Sequence, residues 1–223
     1  MKRYFTSKWL LMGAVILSAC QSKQEKVLHE AVPVSSKSEI TLSETQPDEQ
    51  FWLALESYAK GDNKESAGFI DDGIAAMEKI ADSHDANRKA IDHSIAQLKT
   101  LASKVANNQV SSITELNKAF GNAAQSLAHL RLRVTEIEFF KKSEELAGTH
   151  LQSAVDHANR YMQFHKYTPS EEEHALLTDT QELSKRLEKG DNVSEEELKV
   201  NIKNIDSLLV NWETRFNPAQ GHR

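Results

Sequence analysis

Cysteine, glycine, proline and aromatic residues are all scarce in this chain. One cysteine in 223 residues excludes an internal disulfide framework, a Cys-x-x-Cys redox pair, a c-type haem site and a cysteine-based zinc site. The eight glycines form neither a phosphate-cradling loop nor a Gly-x-Ser-x-Gly elbow, so nucleotide and serine-nucleophile chemistry have no support. No segment alternates with period two and Val and Thr do not cluster, so no strand is expected. Positive charge is also short: Lys+Arg number 27 against 33 Asp+Glu, a formal −6. Without the first nineteen residues, which hold Lys2, Arg3 and Lys8 and no acid, the balance is 24 against 33, or −9. A chain that acidic, with no interleaving of basic and aromatic residues, is a poor partner for nucleic acid.

What is present begins with an address. Lys2, Arg3 and Lys8 precede an apolar run from Trp9 to Ile16, followed by Leu17-Ser18-Ala19-Cys20. The run is too short to span a bilayer, which takes about 20 helical residues, and it has the layout of an export signal. Leu-Ser-Ala-Cys resembles the lipobox of bacterial lipoproteins. That resemblance implies cleavage of residues 1–19, acylation of Cys20 as the first mature residue, and membrane attachment through it. Gln21 rather than Asp at the next position then implies the outer membrane, with the protein on its inner leaflet facing the periplasm. Two or three acyl chains hold a protein stably where one does not.

Residues 20–48 are rich in Ser, Lys, Glu, Thr and Gln, carry Pro33 and Pro47, and read as a disordered tether with a reach on the order of 30 Å. From Phe51 the pattern is helical. Ile70, Ile74, Met77 and Ala81 recur at 4-3-4 spacing, and Ile91, Ile95, Leu98, Ala102 and Val105 mark the next helix. An unbroken 3-4 alternation from Ile113 to Ile137 predicts one helix of about 30 residues, some 45 Å long. The expected fold is an all-α antiparallel bundle.

Boundaries are written in cap chemistry. Ser112 with Glu115, Ser170 with Glu173, and Ser194 with Glu197 fit the capping box. Lys60-Gly61-Asp62-Asn63 and Lys189-Gly190-Asp191-Asn192 each offer a glycine to end a helix and a capping residue to start another, and Thr168-Pro169 stops a further one. Internal similarity follows. Ala67-Gly68 matches Ala147-Gly148 at an offset of 80, and Ser112, Glu115 and Leu127 match Ser194, Glu197 and Leu209 at 82. The sequence therefore predicts two related units of about 80 residues, 49–128 and 129–217, sharing the long helix, with a tail at 218–223.

Candidate chemistry is sparse. The triplets Glu171-Glu172-Glu173 and Glu195-Glu196-Glu197 lie in first helical turns, where the helix dipole favours negative charge. His129, His150, His157, His165 and His174 all fall in the second unit. His150 and His157, seven apart, border the stripe Ala147, Leu151, Ala154, Ala158 and Tyr161 and are expected to be half-buried, with Glu136 and Glu138 of the preceding helix within reach if the two pack antiparallel. His150, His157 and Glu136 are thus the one candidate metal set, of the kind bundles build between facing helices. Trp52 and Trp212 are expected to pack together and close the bundle. Phe139, Phe140, Tyr161, Phe164 and Tyr167 are expected to form one aromatic group.

Leu130 to Gly148, a Leu-rich helix before a Lys-rich turn and an Ala-Gly helix start, loosely resembles uncharacterised helical bacterial lipoproteins; the resemblance carries no activity. The expectation is a lipid-anchored envelope protein that is not an enzyme, uses no cofactor and acts through contacts with an envelope protein partner, as an accessory or stress-related factor. The alternative is a carrier of metal or a small ligand using the His-rich second unit. Oligomeric state is not legible.

Overall fold

The computed structural model describes residues 36–83 and 88–216, with side chains from 46 onward except at residue 90. The signal segment, Cys20, the first part of the tether and the tail at 218–223 lie outside the described residues. Seven helices follow in order: α1 (Ser36–Ala59), α2 (Asn63–Ser83), α3 (Arg88–Ala106), α4 (Ile113–Phe140), α5 (Glu144–Phe164), α6 (Glu171–Glu188) and α7 (Glu195–Phe216). Among the described residues there is no strand, and no helix is long and apolar enough to cross a membrane.

Each helix packs on the next in sequence; α1 closes back onto α4 and α5, and α7 onto α4. Cross-helix contacts fix the directions. Ser94 meets Ser126 while Lys104 meets Glu115, and Gln125 meets Leu209 while His129 meets Asp206. Both α3 and α7 therefore run antiparallel to α4. The central α4, 28 residues and about 42 Å long at 1.5 Å per residue, buries apolar side chains on both flanks, among them Leu116, Phe120, Leu127 and Leu132.

The turns share one device. At Gly61, Asn108, Lys142, Lys166 and Gly190 the backbone takes positive φ, between 52° and 83°. In each case that residue's N–H donates three residues back and the next N–H donates five back, as in Lys142 to Phe139 and Ser143 to Glu138. This is the Schellman arrangement, which satisfies the orphan carbonyls of a helix end. Of these five turn residues only the two glycines were readable in the sequence, because the left-handed region costs an L-residue roughly 1–2 kcal/mol.

Of the three capping boxes, only Ser170–Glu173 has both bonds. Ser112 instead accepts from Thr114 N, and Glu115 pairs with Lys104. Ser194 accepts from Glu197 N, but the Glu197 carboxylate goes to Arg186. In both, the glutamate reaches a cation on a neighbouring helix, Lys104 or Arg186, in place of the cap amide.

The helix α1 begins at Ser36, so residues 36–48 are helical rather than part of the tether. Pro47 lies inside α1 and is buried, as is Asp48. A local reading takes such a proline as a breaker. What holds the turn is tertiary: Asp48 Oδ2 lies 2.7 Å from His157 Nδ1, 109 residues away.

Aromatic residues seam the bundle in two places. Phe51 of α1 stacks on Phe120 of α4 at 4.8 Å, and Trp52 on Phe164 of α5 at 5.1 Å. Trp212 stacks instead on Tyr161 at 6.0 Å, so the two tryptophans do not meet as a pair. Phe139 and Phe140 contact one another at the start of α5, whereas Tyr161, Phe164 and Tyr167 lie at its far end. A 21-residue helix, about 30 Å long, separates them, and the expected single aromatic group is two.

Candidate functional site: a polar groove across the central helix

Because α3 and α7 both lie along α4 without closing on each other, a groove of about 840 Å³ opens between them. Pockets of this size hold ligands in many proteins. Its floor is a polar stripe on α4, namely Asn122, Gln125, Ser126, His129 and Arg133, at the spacings that place residues on one helix face. His93, Ser94 and Gln97 of α3 form one wall, and Asp206 and Glu213 of α7 the other. Among the described residues no Phe, Tyr or Trp lines it.

The floor is built rather than incidental. Gln125 is 6% exposed, and its Nε2 donates to the Leu209 carbonyl at 3.0 Å, tying α4 to α7. Ser94 and Ser126 share a hydrogen bond of 2.7 Å, and Ser126 also donates to the Asn122 carbonyl. His129 Nδ1 sits 2.9 Å from Asp206 Oδ1, and His93 meets Gln97 at 3.0 Å. The serine hydroxyls are thus spent on each other and on backbone, not on a histidine. A smaller cavity of about 290 Å³ adjoins through Gln97 and Asn122 and carries Lys104, Glu115 and Lys118.

The metal candidates go elsewhere. His150 is 5% and His157 0% exposed, so both are buried rather than half-buried. His150 Nδ1 faces Arg131 at 3.3 Å, His157 faces Asp48, and Glu136 pairs with Arg133 on the surface. Glu138 pairs with Lys141. Among the described residues no group of three His, Cys, Asp or Glu side chains is placed to hold a metal ion.

His157 belongs to a different feature. Ser153, His157 and Tyr161 on successive turns of α5 and His165 at its C-terminal cap each keep a buried side-chain atom without a hydrogen-bond partner: Oγ, Nε2, Oη and Nε2 respectively. Asp48 Oδ1 and Trp52 Nε1 of α1 add two more. Ser153, His157 and Asp48 are the residue types of a nucleophile, base and acid. They are closed from solvent, however, and Ser153 makes no bond to His157. Burial pushes the His165 imidazole below its ordinary value, aided by Lys118, and pushes the Tyr161 phenol and the Asp156 carboxyl up.

At the far end of α5, Glu173 gathers several donors. Tyr167 Oη, Ser170 N and Trp212 Nε1 all donate to it, and Arg215 lies at 3.6 Å. Burial alone would raise this carboxyl, but the hydrogen bonds and Arg215 outweigh it and hold it below the usual range. The cap of α6 is therefore also the anchor of α7.

Sequence reasoning reached none of the groove except His129, which it grouped with the other histidines. The available signal was the polar stripe at 122, 125, 126, 129 and 133, set inside a helix whose remaining faces are apolar. Comparison of the chain with protein-family models, with curated proteins and with solved structures found no match.

Proposed function

We propose that this is a lipid-anchored envelope protein, held by acylated Cys20 at the inner leaflet of the outer membrane and facing the periplasm, that acts without catalysis through protein contacts made in the α3–α7 groove. The observation that carries the reading is the groove itself: hydrogen-bonding side chains from three helices converge on it, in a bundle that elsewhere along α4 is packed with apolar residues. No observation favours the metal carrier, since His150, His157 and Glu136 each have a different partner.

The scaffold behind the groove is read as one unit used twice. Both α2 and α5 have 21 residues and start 81 apart; α4 and α7 start 82 apart. The left-handed turn residues Gly61 and Asn108 recur as Lys142 and Gly190. Buried Ile70, Ile74, Val105 and Leu127 correspond to buried Leu151, Val155, Leu187 and Leu209. The ion pair Lys104–Glu115 recurs 82 residues on as Arg186–Glu197. Even the small α3–α4 cavity has a counterpart of about 480 Å³ between α6 and α7, in which Gln97 and Asn122 become Asp179 and Asn204. The register differs from the sequence alignment at one place. An offset of 80 pairs exposed Gly68 with buried Gly148, whereas 81 pairs buried Ala67 with Gly148. The large groove lies where the two units meet along α4.

A photo-crosslinking amino acid placed at Gln97 in intact cells tests the reading, with Asp71, exposed on α2, as the control site. Discrete adducts from Gln97 and none from Asp71 are expected. Absence of adducts, or the same adducts from both sites, would overturn it.

A further inference from the structure

Large apolar side chains left exposed gather at one turn. Of the seven in the described chain, Ile137, Phe140 and Leu146 lie within ten positions across the α4–α5 junction, and Phe140, at 53%, is the most exposed of all. Ile137 and Phe140 are three apart and share a face of α4. Lysines stand over the aromatic rings: Lys142 lies 6.0 Å from the ring of Phe139, and Lys199 of α7 lies 5.4 Å from that of Phe140. An apolar residue exposed singly is ordinary, but a group of them rimmed by charge marks a contact surface.

Acids are interleaved with those lysines. Glu138 pairs with Lys141 and Glu195 with Lys199, and Glu144 and Glu145 open α5. Lys142 has no acidic partner among the described residues. This end of the bundle therefore carries no positive field to draw a strongly anionic surface. The mixture suits a layer of zwitterionic lipid headgroups, which offers phosphate to lysine, ammonium to glutamate, and hydrocarbon beneath for an apolar side chain.

The course of the chain brings the same end to lipid. Asp48 meets His157 and Trp52 meets Phe164, so α1 runs parallel to α5. Ser36 stands twelve residues before Asp48, about 18 Å along the helix, and so is level with the first turn of α5. From Cys20 to Ser36 the chain has sixteen steps, at most about 55 Å at 3.3–3.6 Å each. With Cys20 held in lipid, the α4–α5 turn rests on the bilayer with that length slack. The opposite end would use about 42 Å of it merely to pass α4.

We infer that the α4–α5 turn is a membrane contact, in which Phe140 and Ile137 enter the headgroup layer of a zwitterionic bilayer, Lys142 binds lipid phosphate and the bundle stands on this end. This rests on the reading of Cys20 as a lipid anchor. It also sets the height of the groove. Arg133 and Asn122 lie about 10 and 27 Å from Phe140 along α4, so the groove opens clear of the lipid, toward a partner.

The test uses full-length acylated protein in vesicles of phosphatidylethanolamine and phosphatidylcholine whose acyl chains carry bromine near the headgroup. Acylated Cys20 has no free thiol, so a fluorophore is placed on Ser143→Cys, where the native side chain makes no cap bond, or on Gln109→Cys, exposed at the opposite end. Bromine should quench the label at 143 and spare the label at 109. Phe140→Ser should bring the 143 label to the level of the 109 label, with the protein still vesicle-bound and its melting unchanged. Added salt should leave the quenching as it is, because the entering group is apolar. Equal quenching at the two positions, none at 143, or indifference to Phe140→Ser would overturn the inference. An unquenched 143 label in a protein that sediments as a dimer would give the patch to a second copy. A free thiol at Cys20 would remove the anchor as well, whereas an acylated Cys20 with an unquenched 143 label removes the membrane contact alone.

Discussion

Two glycines that look alike in the sequence, each after an alanine in a helix start, should respond to the same substitution with opposite signs. Gly68 is exposed, and a Cβ added there meets nothing within 4 Å. Gly68→Ala should therefore deliver the helix-propensity difference, a gain of up to about 1 kcal/mol. Gly148 faces α6. A Cβ there would lie 2.7 Å from the Ser184 carbonyl oxygen and 2.8 Å from the Glu188 backbone nitrogen. Ordinary contact begins at 3.4 Å, so α6 must retreat by about 0.7 Å, and backbone atoms cannot turn aside as a side chain would. Overpacking of this kind costs about 1–3 kcal/mol. The Ser184 Oγ bond to the Gly148 carbonyl, 3.0 Å, is strained with it, at about 0.5–1.5 kcal/mol if lost. Set against the same propensity gain, Gly148→Ala should destabilise by about 1–3 kcal/mol. Urea unfolding followed by helical ellipticity measures both variants on one scale. A Gly148→Ala protein as stable as wild type, or both variants moving in the same direction, would refute the close α5–α6 approach.

His157→Phe leaves Asp48 buried with no partner on either oxygen and should cost about 3–5 kcal/mol, read from the same unfolding curves. Ser153→Ala removes a buried hydroxyl that bonds nothing and should stabilise by about 1 kcal/mol. Lys142→Gly and Lys166→Gly, at positive φ, should each stabilise by about 0.5–1 kcal/mol. Because His165 has a depressed folded pKa, its contribution to stability is complete above pH 6.5 and is lost as pH falls below it. Melts at pH 7.5 and 5.5 should show a smaller acid loss for His165→Phe than for wild type. Cys20→Ala should release the protein from membranes into the soluble fraction; unchanged partitioning would remove the lipoprotein reading.

The parts of this fold that were legible from sequence are those set by neighbours along the chain. The 3-4 spacing of Ile113 to Ile137 marks α4 because every side of that helix but one is covered, and Ser170 with Glu173 marks the start of α6 because both partners lie within one turn. The first half of α1 was hidden because its anchor, His157, is 109 residues away. Lys142 and Lys166 end helices as glycines do, yet nothing in a lysine signals the left-handed region. The half-buried expectation for His150 and His157 failed because α5 is enclosed on more faces than its apolar stripe shows. Their partners, Arg131 and Asp48, belong to α4 and to a segment that reads as tether. The groove was illegible for a further reason: a polar stripe on a helix reads as a solvated face until α3 and α7 are known to stand on either side of it.

Hydrogen exchange of the anchored protein in native membranes, compared with the purified chain, tests the contact surface most directly. Partner contact in the groove should slow exchange on the facing stretches of α3 and α7, around residues 89–97 and 206–213, with α2 and α6 unchanged. Protection confined to α2 or α6, or no difference anywhere between the two samples, would contradict it.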